Sequence, residues 1–279
     1  MAEGEYEKTP RSSFNRLAKR GKYDYGTIHS IIDMTPVLHV SFNPVSPDDD
    51  PFPTILPMLG YAAPGSFPED EPAPSYDDGP RHIYLHGYVT SRLMKLPSTT
   101  NGTNGDSSEN PKGVPICIAA SQVDGIVLAL TPFHNSNNYR SAVVHGWASI
   151  VESETERMHA MHLITDNVLS HRWNNSRVPP TKAEMTSTGI LRVEIASASA
   201  KVRVGGPGDD RHDLKDESVI GNVWTGVVPV YLQYGEPVAS DYNRVGKVPG
   251  YISGWVKEQN ERNKEGALKA MIDPTKAAK

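Results

Sequence analysis

Two short clusters of hydroxyls, amides and arginine give this chain the means to hold a charged ligand. In "IYLHGYVTSRLMKL", residues 83–96, His86 and Gly87 close an apolar run and Thr90, Ser91 and Arg92 follow. A glycine lets backbone approach a ligand closely, while two hydroxyls and a guanidinium match the acceptors and charge of a phosphate. The ordinary alternative is that Thr90 or Ser91 simply caps a helix. The second cluster lies in "FHNSNNYRSAVVHGWASIV", residues 133–151, where a polar loop feeds an apolar strand. Ser136, Asn137, Tyr139, Arg140 and Ser141 can satisfy a dianion and the edge of a polar ring. Its alternative is an Asn-rich turn with Arg140 in a structural ion pair. Two such clusters at strand ends suit one convergent site.

Other chemistries find less support. No GxGxxG follows a strand, since "GGPGDD" at 205–210 lacks the spacing and the helix, and there is no Walker loop, GxSxG or HExxH. His159 and His162 share a helix face and His82 and His86 a strand face, but neither pair has a third ligand near in sequence, so no metal site is expected. The single cysteine, Cys117, excludes an intramolecular disulfide. It sits in the apolar run "VPICIAA", where cysteines are mostly buried and inert.

The elements that must position these clusters are short strands with a few helices between. Residues 1–20 read as a mobile arm. Residues 25–35 read as a short helix, 36–42 and 52–63 as paired strands, and 81–96 as a strand turning helical near Ser91. The proline- and acid-rich segment 64–80 and the low-complexity segment 97–113 read as insertions. "VPICIAASQVD" and "GIVLALTPF" read as a hairpin turned at Asp124-Gly125, followed by a strand at 141–152. A long helix is expected over 153–173, with acidic residues in its first turn, and a shorter one after a Thr181/Glu184 capping box. "TGILRVEIASASAKVRV" and "VWTGVVPVYLQYGEPV" read as further strands, and the charged segment 255–279 as a partly helical, solvated tail. Without βαβ alternation, the order favours an antiparallel barrel or sandwich with peripheral helices. The main domain is then 21–254.

Over 279 residues the formal charge is -5 and the pI about 6.1, which lacks the basic footprint of a nucleic-acid binder. No run approaches the roughly 20 apolar residues of a membrane span, and the first residues show no apolar signal region. No membrane or nucleic-acid partner is expected, and the default compartment is the cytoplasm.

The segments "KYDYGTIHSIID", "HVSF", "FPTILPM", "IYLHG", "SRLMKL" and "PICIAASQVDGIVLALTPFHNSNNYRSAVVHGWASIVE" resemble the pyridoxamine 5′-phosphate oxidase-like family, in its flavin-nucleotide-binding, nitroimidazole-resistance-protein-like branch. The likeness runs from about Lys22 to Val230. It implies a mainly β, antiparallel split β-barrel that forms a homodimer with FMN at each subunit interface. Thr90, Ser91 and Arg92 then hold the phosphate, and Ser136, Tyr139, Arg140 and Ser141 line the phosphate and ring edge. His86 stands beside the cofactor as the proton donor or acceptor. Lys201, Arg203 and Trp224 are weaker transfers. The implied activity is FMN-dependent oxidation or reduction of a small organic substrate. A haem protein on the same barrel, with one of the ten histidines as axial ligand, and a non-catalytic flavin carrier are the alternatives.

Overall fold

The computed structural model of the chain describes residues 4–43, 51–64, 79–100 and 113–273. Most of the two insertions expected at 64–80 and 97–113 lies outside these residues. Its contacts divide the chain into two compact units, Met1–Ala120 with Ser141–Ala200, and Ser121–Arg140 with Lys201–Lys279.

The strands are β1 (Gly21–Lys22), β2 (Leu38–Phe42), β3 (Thr54–Met58), β4 (Gly60–Pro64), β5 (Arg81–Tyr88), β6 (Val114–Leu128), β7 (Ser136–Ile150), β8 (Thr188–Arg203) and β9 (Gly226–Pro229). They join in the order β3-β2-β6-β7-β8-β5-β4, with β1 on β8 and β9 on β6. The pairings with a defined register are antiparallel, among them Ser41 opposite Cys117 and His86 opposite Ile190. The helices are α1 (Tyr25–Asp33), α2 (Arg92–Thr100), α3 (Glu154–Val168), α4 (Lys182–Ser187), α5 (Glu217–Ile220) and α6 (Gly250–Ala270).

In the first unit, alternation along the strands buries Val40, Ile83, Leu85, Ile118, Val144, Leu191 and Val193, and α1 adds Ile28, Ile31 and Ile32. Helix α3 starts at Ser153, whose hydroxyl accepts the Glu156 N–H, and Glu154 and Glu156 favour its dipole end. Its buried stripe of Glu156, Ala160 and Ile164 covers Tyr84, Val151 and Ile190. Glu156 accepts from the Tyr84 hydroxyl at 2.9 Å and from Arg192 Nη1 at 3.0 Å, so the one buried carboxylate on that stripe is satisfied. The Thr181/Glu184 capping box forms as expected and opens α4.

Five sequence expectations need correction. The Asp124-Gly125 pair turns no hairpin, because it lies inside the continuous β6. Asp124 is 4% exposed and pairs with Arg140, while a side chain at Gly125 would meet Val227 Cγ1 at 2.8 Å. The glycine is there for the close approach of β9. Residues 136–140 belong to β7 and are not a loop. Residues 52–63 form two strands that part at Leu59, β3 pairing with β2 and β4 with β5. The first residues are fastened: Tyr6 is buried, its hydroxyl is 2.7 Å from His29 Nε2, and its N–H donates to the Tyr23 carbonyl at 2.9 Å. The charged C-terminal segment is also more than a solvated tail. Its helix begins at Gly250, buries Gln259, Ala267 and Ala270, and exchanges two hydrogen bonds with the Tyr234 backbone through Asn260.

Candidate functional site

Residue His86 lies near the end of β5 in the first unit. Its Nδ1 is buried without a hydrogen-bond partner, and the imidazole is bound to the backbone of Leu59. Burial lowers its pKa, against the opposing effect of the Leu59 bond, so the ring is held neutral. A neutral imidazole carries one N–H and one bare lone pair. His86 thus has the form of a proton acceptor or a metal ligand.

The chain then turns, the Ser91 N–H donating to the Tyr88 carbonyl at 2.8 Å, and α2 begins at Arg92. Thr90 is exposed, Ser91 half-buried and Arg92 exposed. The Arg92 Nη1 reaches Thr54 Oγ1 at 3.3 Å, a neutral partner, and Arg92 makes no ion pair among the described residues. Three donors for an anion therefore stand together at a strand-to-helix turn.

The second cluster is on β7. Ser136, Tyr139 and Arg140 are half-buried, Asn137 is exposed, and Ser141 is half-buried at the first position that belongs to the first unit. Arg140 makes a bidentate pair with Asp124, Nε to Oδ2 at 2.9 Å and Nη2 to Oδ1 at 2.8 Å. That is the ion pair named as its alternative role. It cancels much of the charge but fixes the guanidinium plane, and Nη1 takes no part in the pair. Of the weaker transfers, Lys201 is half-buried on β8, and Trp224 is 67% exposed with its ring over Gly226. Arg203 is buried and committed: Nη1 donates to Asn138 Oδ1 and Nη2 to the Gly206 carbonyl at 3.2 Å.

One cavity of the first unit, about 280 Å³ in volume, escaped the sequence reading. Arg11, Ser41, Asn43, Cys117, His145 and Trp147 line it. Cys117 is therefore half-buried in a cavity wall and not sunk in the core. Burial raises its thiol pKa, so the thiol stays protonated. Strand alternation was the missed signal: Ile116 and Ile118 point to the core, which puts Cys117 on the other face.

In the second unit, His134, Asp210 and Asp213 hold ligand-type atoms within 4.8 Å of one another. These groups lie at the surface, Asp210 being 76% exposed.

The sequence pattern of the pyridoxamine 5′-phosphate oxidase family matches residues 24–202. No curated protein matches the chain. Among solved structures, the flavocytochrome Anf3 from Azotobacter vinelandii aligns at 24% identity over 88% of this chain and 97% of its own, with a TM-score of 0.68. The FAD and heme binding protein from Mycobacterium smegmatis aligns at 21% identity over 85% of this chain and 97% of its own, with a TM-score of 0.64. At these identities the likeness establishes the fold, which is the expected antiparallel split β-barrel with a few helices. The family pattern spans more than half of the sequence and both structural alignments extend well beyond it. The chain belongs to the pyridoxamine 5′-phosphate oxidase family.

Proposed function

We propose that the protein binds a flavin nucleotide and acts as a flavin-dependent oxidoreductase on a small organic substrate, as a cytoplasmic homodimer. The observation that carries this reading is the reach of the two structural alignments. Both cover at least 85% of this chain, and the names of both relatives include a flavin and a haem function. FMN is the nucleotide of the family resemblance, and FAD is the one named for the mycobacterial relative.

The residues fit such a group in their chemistry. Arg92, with Thr90 and Ser91, offers a cation and two hydroxyls to a phosphate. Arg140, held rigid by Asp124, offers the edge that the carboxylate leaves open, and Ser136, Asn137, Tyr139 and Ser141 supply polar neighbours along β7. Lys201 and Trp224 remain candidates, whereas Arg203 is left out because its donors are engaged. A bound flavin supplies the two-electron step. His86 takes or returns a proton at Nδ1, the buried nitrogen whose lone pair burial keeps bare.

The test is the purified protein's absorption spectrum and the mass of the cofactor released on denaturation, which separates FMN from FAD. A colourless protein that binds neither on titration ends the proposal. Arg92→Ala should weaken flavin binding by about tenfold to a hundredfold, because a hydrogen bond to a charged group is worth about 1.5–3 kcal/mol. Unchanged affinity would remove Arg92 from the site. Full flavin loading with no turnover across nicotinamide and organic donors would instead favour the carrier reading.

A second reading adds haem, and two observations favour it. Both relatives' names include haem or cytochrome, and His86 presents a buried, neutral nitrogen without a partner. A Soret band that His86→Ala abolishes, with flavin content unchanged, is the expected result. A Soret band that survives His86→Ala assigns the iron ligand elsewhere.

A further inference from the structure

We propose that the cavity lined by Arg11, Ser41, Cys117, His145 and Trp147 is a binding site for a small aromatic carboxylate, built from residues other than those assigned to the flavin.

Size sets the class of ligand first. Pockets for drug-sized molecules run from roughly 300 to 1,000 Å³. At about 280 Å³ this one has room for a single ring with a short substituent, and not for a flavin nucleotide.

Charge comes next. Arg11 is the only ionised side chain in the lining, and it makes no ion pair among the described residues. Its side chain is exposed, yet its field is felt by both Cys117 and His145, so the charge lies at the mouth of the cavity close to both groups. Its backbone lies in a hydrogen-bonded turn. The Thr9 N–H donates to Ser12 Oγ at 2.9 Å, the Ser12 N–H to the Thr9 carbonyl at 3.1 Å, and the Ser13 N–H to the same carbonyl at 3.0 Å. Ser12 itself is 2% exposed. A single planar guanidinium with no second cation beside it matches a monoanion with two oxygens better than a phosphate dianion.

The remaining walls decide the body of the ligand. Trp147 and Pro115 give it an apolar side, and the Ser41 hydroxyl and Asn43 amide supply neutral polar contacts. Ser41 stands opposite Cys117 in the β2–β6 register, so the two share one face of the sheet. His145 completes the set. Its Nδ1 is buried without a hydrogen-bond partner, an arrangement that costs free energy until a polar group meets it. Burial and the nearby Arg11 lower its pKa and keep the ring neutral, so it adds no second charge to repel or attract the anion.

The chain's only cysteine lies in this wall, so thiol modification reports on the cavity alone. The probe is benzoate, with benzyl alcohol as its uncharged analogue, added to the full-length protein as purified. We expect benzoate to slow modification of Cys117 by a small methanethiosulfonate in a saturable way, and benzyl alcohol to need at least tenfold more for the same protection. Arg11→Gln should raise the half-protecting benzoate concentration at least tenfold with the circular dichroism spectrum and melting temperature unchanged, Arg11 being exposed. Calorimetric titration of benzoate gives the same constants without the label. The proposal is overturned if benzoate gives neither protection nor heat of binding, or if Arg11→Gln binds it as the wild type does. Release of bound flavin by benzoate would also overturn it, by making the cavity part of the flavin site. Failure of flavin to bind at all leaves these readouts intact, so the two proposals fail separately.

Discussion

Replacing Asn138 with alanine should destabilise the second unit by about 3–5 kcal/mol, the range for breaking a buried, charge-bearing pair. Asn138 is 0% exposed and every side-chain polar atom has work to do. Its Nδ2 donates to the Gly205 carbonyl at 3.1 Å and to the Ala270 carbonyl at 3.0 Å, while its Oδ1 accepts from Arg203 Nη1. One amide therefore joins the start of β7, the turn after β8 and the last residue of α6. Gly205 adds to the knot, its N–H donating to the Ala270 carbonyl at 2.8 Å from a backbone with φ of +90°. Alanine removes the acceptor of a buried guanidinium and the donor of two carbonyls, and leaves the space of an amide. The bond to the cation alone is worth about 1.5–3 kcal/mol and each neutral bond about 1 kcal/mol. Asn138→Asp keeps an acceptor for Arg203 but turns carboxylate oxygens toward two carbonyls, so it should rescue little. Urea unfolding followed with hydrogen exchange at the end of α6 reads the effect. A loss below 1 kcal/mol with the α6 end still protected would show that the knot holds without its amide.

Asn138 also shows what was legible and what was not. The stretch "FHNSNNYRS" stands out in the sequence, and the side chains around Asn138, those of Ser136, Asn137, Tyr139, Arg140 and Ser141, carry the visible chemistry. As a loop the segment offers no alternation that separates an inward residue such as Asn138 from an outward one. Once 136–150 is one strand, a period of two places Asn138 inward with Ala142 and Val144 farther along. The same error in reverse split β6, since a DG pair between apolar runs signals a turn only when the strands on either side need not continue. By contrast, α1, the existence of α3 and the α4 capping box were readable because their signals are local, a 3.6-residue period and a cap within four residues, although the face α3 buries is Glu156, Ala160 and Ile164 and not the methionines at 158 and 161. The ends of the chain were misread for want of long-range information. Nothing near Tyr6 in sequence announces His29, and nothing near Ala270 announces Asn138. The sequence offers the Arg140 ion pair as an alternative but hides its partner, because Asp124 next to Gly125 carries the local signature of a turn.

Between about pH 4 and 7 the wild type should lose stability relative to Asp33→Asn, by an amount on the order of 4 kcal/mol. Asp33 ends α1 with its side chain 3% exposed, beside Arg81 at 5%. Oδ1 accepts the Ala62 N–H at 2.9 Å, whereas Oδ2 has no hydrogen-bond partner and lies 3.7 Å from Arg81 Nη1. Burial pushes the carboxyl from 3.8 up to about 7, against the lowering effects of the Ala62 bond and of the Arg81 charge. The sign follows from which state holds the proton more tightly. Folded Asp33 keeps its proton to a higher pH than the unfolded chain does, so its contribution is fully present below about pH 4. It is lost as pH rises through 7 and is flat beyond. Asparagine imitates the protonated form and cannot titrate, which removes this slope. The competing expectation is that Arg81 makes ionised Asp33 the stable form, since a broken buried pair costs 3–5 kcal/mol. The geometry decides against it: the separation of 3.7 Å is beyond a hydrogen bond, and Arg81 Nη1 already donates to the Ala62 carbonyl at 3.1 Å. Denaturant midpoints of both proteins at matched pH values measure the difference. If the wild type instead gains on Asp33→Asn as pH rises, attraction to Arg81 outweighs burial and Asp33 is an ordinary ion-pair carboxylate.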